Sequence, residues 1–259
     1  MFDQPQRDAL DAVARVLGEA RSILFVTGAG ISADSGVPTY RGIGGLYDVE
    51  HTDEGIPIEE ILSGDMFRSA PALTWKYLAQ IAAAARGAHF NRAHEVVAEI
   101  EQRLPRVWTL TQNVDGFHHL AGSQNVIEIH GNMRSLSCTL CPYHMTVDED
   151  DELAVPPRCP DCRGIMRPDV VLFGESLPET ALNELRRELQ TGFEAVVCIG
   201  TSELFPYIQE PVVLARHRGV PTVEINPAET LLSGVVDYRI AAGAATAMDE
   251  IWRRMTSGA

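Results

Sequence analysis

Four cysteines are the residues whose spacing points most directly to chemistry. They form two C-x-x-C pairs, Cys138 with Cys141 and Cys159 with Cys162, and the interval between the pairs falls in the range of about 15–20 residues typical of four-cysteine zinc sites. Four thiolates complete a tetrahedral shell that leaves no open position for water or substrate. The pattern predicts a structural zinc ion, with a redox or disulfide role as the alternative. Cys198 lies in an apolar run, which predicts a buried thiol.

A glycine-rich turn, GAGISA, follows the apolar run 22–26. Gly28, Ala29 and Gly30 would let the backbone approach a pyrophosphate closely, at the N-terminus of a helix. The motif is weak by itself, and a plain strand-to-helix turn is the alternative. A dehydrogenase of this fold would place an acidic residue at the end of a second strand about 20 residues on. Asp48 and Glu50 lie in a glycine-rich loop with no strand before them, which disfavours hydride transfer.

Polar clusters follow four of the predicted strands. They are TQNVDGFH at 111–118, HGN at 130–132, GTS at 200–202 and NP at 226–227. Each cluster alone is compatible with ordinary turn chemistry, but in open α/β sheets ligands bind beyond the carboxyl ends of the strands. His130 is the best candidate for a base, because imidazole titrates near neutral pH and the adjacent glycine leaves room for a substrate. A purely structural histidine is the alternative there, and we expect structural roles for His94 and His118.

The elements that must position these residues alternate along the chain. Short β-branched runs predict strands at 22–26, 107–110, 126–129, 195–199 and 221–225, and helical periodicity is found at 5–20, 71–86, 92–103, 179–190 and 246–257. This alternation is typical of an α/β fold with a doubly wound parallel sheet. The glycine-rich segment 41–66 and the cysteine-bearing segment 133–167 interrupt it, which predicts a loop with a short helical insert and a small inserted module.

Composition and charge limit the classes of function. The 259 residues suffice for one large or two unequal domains. A formal net charge of −15 disfavours nucleic acid as a direct partner. The sequence shows no apolar run of the roughly 18–20 residues that span a bilayer and no signal peptide at its start. We therefore expect a cytoplasmic protein without membrane contact, in a compartment that keeps the paired cysteines reduced.

Eight sequence segments occur in an order that resembles one family. They are GAGISADSGVPTYRG, TQNVDGFH, HGN, the two C-x-x-C pairs, RPDVVLFGE, GTS and EIN. In this combination the chain resembles the sirtuins, the NAD-dependent protein deacylases, over nearly its whole length. The resemblance implies a Rossmann-like NAD-binding domain with an inserted zinc ribbon and a flexible cofactor-binding loop. We place the domain at 1–40, 106–132 and 168–259, the loop with a helical insert of the small domain at 41–105, and the zinc ribbon at 133–167.

The resemblance also implies a role for each matching residue. His130 would be the general base, and Asn113 the second catalytic residue. The residues expected to hold NAD are Gly28, Ala29, Gly30, Tyr40, Arg41, Gln112, Asn113, Asp115, Gly200, Thr201, Ser202 and Asn226. Val171, Phe173 and Gly174 would contact an acyl-lysine peptide that docks as an added strand. Tyr40 stands where sirtuins usually have phenylalanine, and the segment 203–208 differs from the small residues and Pro-Ala-Ala that commonly follow GTS.

The implied reaction converts an acyl-lysine in a protein and NAD into free lysine, nicotinamide and O-acyl-ADP-ribose. Sirtuins that prefer succinyl-lysine or malonyl-lysine carry a Tyr-x-x-Arg pair, whereas here Tyr77 is followed at the third place by Gln80. Because burying a carboxylate without a cation is costly, we expect acetyl or another neutral acyl group. Two other functions stay open: a protein ADP-ribosyltransferase or NAD glycohydrolase, and a non-catalytic NAD-sensing module that binds a partner protein.

Overall fold

The larger part of the structure is a parallel sheet with helices on both faces. The computed structural model describes residues 2–37, 52–148, 151, 153–202 and 205–257. Its strands are β1 (Ser22–Thr27), β2 (Arg106–Thr111), β3 (Val126–Glu128), β4 (Gly131–Cys138), β5 (His144–Thr146), β6 (Met166–Val170), β7 (Ala195–Ile199), β8 (Thr222–Ile225) and β9 (Tyr238–Ile240). Its helices are α1 (Gln4–Glu19), α2 (Ala29–Ser32), α3 (Ile58–Ile61), α4 (Gly64–Ser69), α5 (Pro71–Ala84), α6 (Arg92–Arg103), α7 (Phe117–Leu120), α8 (Glu179–Thr191), α9 (Pro206–His217) and α10 (Ala244–Ser257), and a 3₁₀ turn covers Ala33–Ser35.

The strand order of the large sheet is β3-β2-β1-β7-β8-β9, and every pairing in it is parallel. The central strand β1 is buried from Ile23 to Thr27, as expected for a parallel strand covered on both faces. The chain builds outward from β1 through β2 and β3, then returns to the other side of β1 with β7. This reversal between β1 and β7 is the topological switch point at which such sheets bind ligands.

Two apolar cores cover the two faces of the large sheet. Helices α1, α6 and α10 bury their apolar side chains against one face, and α8 and α9 cover the other. The helix starts are set locally: the Asp3 side chain caps α1 by accepting from the amide of Gln6, and Asn91 and His94 form a reciprocal capping box on α6. The predicted α/β fold class is confirmed.

A second, smaller unit combines the antiparallel sheet β5-β4-β6 with helices α3, α4 and α5. Its core brings Trp75 of α5 together with Leu136, Cys159 and Met166 of the cysteine-bearing segment. The indole nitrogen of Trp75 also donates to the carbonyl oxygen of Met166 at 2.9 Å. Helices α3–α5 therefore share a core with the cysteine module.

Helix α6 has a different packing partner from α3–α5. Its buried residues Ala93, Val96, Val97 and Ile100 belong to the core of the large sheet, beside α1 and α10. The predicted limit at residue 105 assigned this helix to the small domain. We propose instead that the limit lies before Arg92, because the apolar face of α6 is buried against the large sheet.

The predicted strands and long helices recur with small shifts at their ends. Helix α9 and strand β9 were not predicted. Across the described residues, the structure contains no helix that combines the length and the apolar character required to cross a bilayer.

Candidate active site

The glycine turn after β1 lies directly against the end of β7. The amide of Gly28 donates to the carbonyl oxygen of Ile199 at 3.1 Å, and the amide of Gly30 donates to that of Gly200 at 2.8 Å. A Cβ atom added at Gly30 would lie 2.5 Å from the Cα atom of Gly200. Glycine is therefore required here for close backbone approach, and the turn and the GTS segment form one wall at the switch point.

A buried polar network joins this turn to the segment after β2. The Asn113 amide nitrogen donates to the carbonyl oxygen of Gly28 and to the Ser32 hydroxyl oxygen, both at 3.2 Å. The Ser32 hydroxyl donates to a carboxylate oxygen of Asp115 at 2.8 Å, and the other carboxylate oxygen accepts from the amide of Phe117 at 3.0 Å. Burial raises the pKa of Asp115, whereas these two donors act to lower it. Asn113 and Asp115, predicted from the TQNVD segment, thus lie beside the turn.

Gln112, Thr201 and Asn226 connect the ends of β2, β7 and β8. The Gln112 side-chain nitrogen donates to the Thr201 hydroxyl at 2.9 Å, and the Asn226 side-chain nitrogen donates to the Thr201 carbonyl oxygen at 3.1 Å. Thr201 is buried, while Ser202 next to it is exposed and Ala29 is half-buried at the start of α2. Three polar clusters predicted from separate strands therefore meet at one edge of the sheet.

His130 lies at the junction between the large sheet and β4. Its Nδ1 atom is 3.1 Å from the carbonyl oxygen of Gln112, and its Nε2 atom is 2.6 Å from the Tyr207 hydroxyl. Burial lowers the pKa of His130, although the Gln112 carbonyl partly opposes this. The imidazole is therefore neutral near pH 7, the form that a general base requires.

The segment after β6 passes close to His130. The amide of Val171 donates to the carbonyl oxygen of His130 at 2.9 Å. The backbone amide of Phe173 donates to the carbonyl oxygen of Leu62 at 2.9 Å, and residue Phe173 is 38% exposed. Gly174 has a φ of +79° and open space around it. The three residues predicted to contact a peptide thus form a backbone-tethered segment between the two units.

The four cysteines converge as their spacing predicts. Their sulfur atoms all lie within 4.8 Å of one another, with Cys138 and Cys162 at 3.4 Å and Cys141 and Cys159 at 3.6 Å. Zinc–sulfur bonds of about 2.3 Å in a tetrahedron place sulfur atoms about 3.8 Å apart. The cluster therefore fits zinc, and the fifth cysteine, Cys198, is buried in strand β7 as predicted.

Some predicted site residues lie outside the described part of the chain, and some observed contacts were not predicted. Tyr40 and Arg41 belong to the first group. Ser32 belongs to the second: it lies inside the glycine motif, but its bond to Asp115 depends on the fold. Phe205 and Tyr207 also belong to the second group, because they contact His130. The sequence indicates only that their segment differs from the residues that commonly follow GTS in sirtuins.

Together these features define a class: α/β proteins that present a glycine turn and polar strand ends at a switch point, beside a four-cysteine module. Comparisons with known proteins specify it further. A sequence model of the Sir2 family matches residues 28–205. The chain belongs to the Sir2 family.

Individual relatives match almost the whole chain. "NAD-dependent protein deacylase 2" of Pseudomonas aeruginosa is 49% identical over 242 residues, which cover 92% of this chain and 94% of that protein. A solved complex of a Sir2 homologue with NAD is 34% identical, with a TM-score of 0.84, and the match covers 96% of this chain and 94% of that one. A mutant Sir2 homologue in complex with 2'-O-acetyl ADP ribose is 33% identical, with a TM-score of 0.84, at 99% and 98% coverage.

Proposed function

We propose that this protein is an NAD-dependent protein-lysine deacylase that removes acetyl or another neutral acyl group. The products are nicotinamide, free lysine and O-acyl-ADP-ribose. The observation that carries the proposal is the position of His130: it is held through Nδ1 by the Gln112 carbonyl, at the same sheet edge as the glycine turn and Asp115. The 49% identical relative named as a deacylase, and the homologue complexes with NAD and with 2'-O-acetyl ADP ribose, support it.

The residues divide the work of binding NAD and moving a proton. NAD supplies the ribose carbon that accepts the acyl oxygen and releases nicotinamide. We assign the phosphates and riboses to the wall made by Gly28, Ala29, Gly30, Gly200, Thr201 and Ser202, together with Asn226. Gln112, Asn113 and Asp115 would line the ribose and nicotinamide pocket. The carboxamide N–H of nicotinamide would donate to Asp115 in place of one of its present hydrogen-bond donors. His130 accepts the proton of a ribose hydroxyl.

The proposed zinc ion stabilises the small unit and takes no part in the chemistry. Its four thiolates form a closed shell, which leaves no position for a substrate oxygen. The ion would tie together Cys138, Cys141, Cys159 and Cys162, the last of which is exposed. Since their core also contains helices α3–α5, the ion would fix the position of those helices too.

The peptide substrate would dock along Val171, Phe173 and Gly174. An acyl chain entering beside them should be neutral, because Gln80 stands at the position where a Tyr-x-x-Arg pair would supply an arginine for an acidic acyl group. The Tyr77 hydroxyl is bonded to the carboxylate of Glu54, and the Lys76 ammonium is 2.6 Å from the same carboxylate. An acidic acyl group would have to compete with Glu54 for both donors.

A panel of acyl-lysine peptides incubated with NAD tests the function directly. Nicotinamide and free lysine should accumulate together, and His130→Ala should abolish the steady-state formation of both while zinc stays bound. His89→Ala removes an exposed histidine and serves as the matched control. Nicotinamide release that is independent of peptide would instead indicate a glycohydrolase or ADP-ribosyltransferase, and NAD binding without turnover would indicate a sensing module.

We also propose that the protein acts in the cytoplasm, on proteins rather than nucleic acids. Free thiols poised for zinc require a reducing compartment. The net charge of −15 repels nucleic acid phosphates.

A further inference from the structure

Three rings meet at the proposed base. The Tyr207 hydroxyl oxygen lies 2.6 Å from Nε2 of His130. Phe205 stacks on Tyr207 with ring centroids 5.4 Å apart, and it meets the imidazole edge to face at 5.8 Å. Phe205 precedes α9 and Tyr207 lies in its first turn, so the helix after the GTS segment reaches the base directly.

The positions of the protons follow from the two partners of the imidazole. A carbonyl oxygen can only accept, so the contact of 3.1 Å from Nδ1 to Gln112 requires a proton on Nδ1. The lone pair of the neutral imidazole is then on Nε2, and the Tyr207 hydroxyl donates to it. Nε2, the atom with which His130 must accept a proton, therefore already accepts a hydrogen bond from the Tyr207 hydroxyl.

Burial keeps both groups in the neutral forms that this arrangement needs. It lowers the pKa of His130, and it raises the pKa of Tyr207 to about 12. A phenol that holds its proton this firmly has an oxygen of high basicity once that proton has moved to the imidazole. A sugar hydroxyl is also a weak acid, so the phenol oxygen and the ribose oxygen are closer in basicity. Proton transfer from the sugar hydroxyl to the phenol oxygen is then less unfavourable.

We propose that Tyr207 is a catalytic residue that relays the proton of the ribose hydroxyl to His130; this inference rests on the proposed deacylase function. The O–H bond of the ribose hydroxyl breaks and its proton moves to the hydroxyl oxygen of Tyr207. The phenol's own proton moves at the same time to Nε2 of His130. The electron pair left on the ribose oxygen forms the bond to the acyl carbon, while the π pair between that carbon and the lysine nitrogen moves onto the nitrogen. The Gln112 carbonyl stabilises the imidazolium.

The surroundings of Tyr207 favour a relay over its displacement by the ribose. Pro206 occupies the first position of α9, where its fixed φ suits the helix. Ile208, which follows Tyr207 in the chain, is fully buried and anchors the helix start in the core. Moving the phenol away from Nε2 would break its hydrogen bond and its stacking on Phe205 together.

Tyr207→Phe tests the relay because it keeps the ring and removes only the hydroxyl. Three quantities are measured: deacylation of an acetyl-lysine peptide, peptide-dependent exchange of labelled nicotinamide into NAD, and the calorimetric affinity for NAD. Exchange needs nicotinamide to leave and return but needs no base. We expect kcat for deacylation to fall about 10- to 100-fold, with exchange and NAD affinity within about threefold of wild type. Tyr238→Phe on β9, the matched control, should change none of the three.

Each other outcome has a distinct meaning. Equal losses of exchange and deacylation, or weaker NAD binding, would assign Tyr207 to packing or binding and overturn the relay. Unchanged or faster turnover with tighter NAD binding would show that the phenol competes with the ribose for Nε2, which also overturns it. Wild-type protein that frees lysine from none of the acyl peptides would refute the deacylase function itself, and the relay with it.

Discussion

Adding one methyl group at Gly30 should both destabilise the protein and weaken NAD binding. The new Cβ atom would lie 2.5 Å from Cα, 2.8 Å from the carbonyl oxygen and 3.0 Å from the carbonyl carbon of Gly200. All three are backbone atoms, so no side chain can turn aside. Overpacking of this kind costs about 1–3 kcal/mol, which lowers Tm by about 2–12 °C at about 2–4 °C per kcal/mol.

Gly18→Ala is a matched control with the opposite expected sign. An added Cβ there meets nothing within 4 Å, and the residue lies in helix α1, where alanine is favoured over glycine by roughly 0.5–1 kcal/mol. Thermal unfolding should therefore place the Gly18→Ala variant above wild type and the Gly30→Ala variant below it.

To accommodate the new Cβ atom at Gly30, the backbone must shift. This shift would move the wall that we assign to the NAD phosphates. Calorimetry should show NAD affinity reduced at least about tenfold, which is about 1.4 kcal/mol. A Gly30→Ala protein with the wild-type Tm and the wild-type NAD affinity would show that the turn and the end of β7 are not in contact, and the geometry of the proposed site would be refuted.

Removing zinc with a chelator should shift the fluorescence emission of Trp75 to longer wavelength, because this indole is buried in the core that contains the cysteines; emission that stays constant while zinc is released would contradict this. Burial lowers the pKa of His94 to about 4, below the ordinary value of about 6.5 for histidine. The unfolded chain therefore binds a proton that the folded protein does not, and stability is lost as pH falls from about 6.5 towards 4. Urea unfolding of His94→Gln, which can keep the capping box with Asn91, should show a smaller loss between pH 7 and 4.5 than wild type, by about 2–3 kcal/mol, and equal losses would contradict it. A succinyl-lysine peptide should have a kcat/KM at least about tenfold below that of the acetyl peptide, since Tyr77 is bonded to Glu54; equal values in a direct comparison of the two peptides would refute this.

The sequence predicted those parts of the fold whose signal is local. Strand β1 and helix α6 have clear apolar patterns, and both lie within a few residues of the predicted limits. Helix α9 was missed because Pro211 lies inside it, and proline normally ends a helix. Strand β9 was missed because its three residues, Tyr238–Ile240, are held by pairing with β8, an interaction that no local pattern reveals.

The candidate site likewise combines features that local sequence predicts with contacts that depend on the fold. The cysteine spacing is a local feature, and it predicted a cluster that the structure places within 4.8 Å. The contact between His130 and Tyr207 joins residues 77 positions apart and depends on how α9 packs. Ser32 is similar, because only the fold brings its hydroxyl to Asp115. Motifs therefore located the residues expected to touch NAD, while the groups that orient those residues required the structure.

The switch point explains why a few short motifs suffice to locate this site. Since all pairings in the large sheet are parallel, the polar residues after β1, β2, β7 and β8 emerge at one edge. Because β1 and β7 are neighbours, the turns that follow them are pressed together, and glycine stands on both sides: Gly200 has a φ of +59°, and a Cβ there would lie 2.3 Å from the carbonyl carbon of Gly30. A side chain at either position would fill the space needed by the other backbone. The spacing of the glycines in two distant motifs is thus a consequence of strand order, and so is the narrow wall against which NAD would bind.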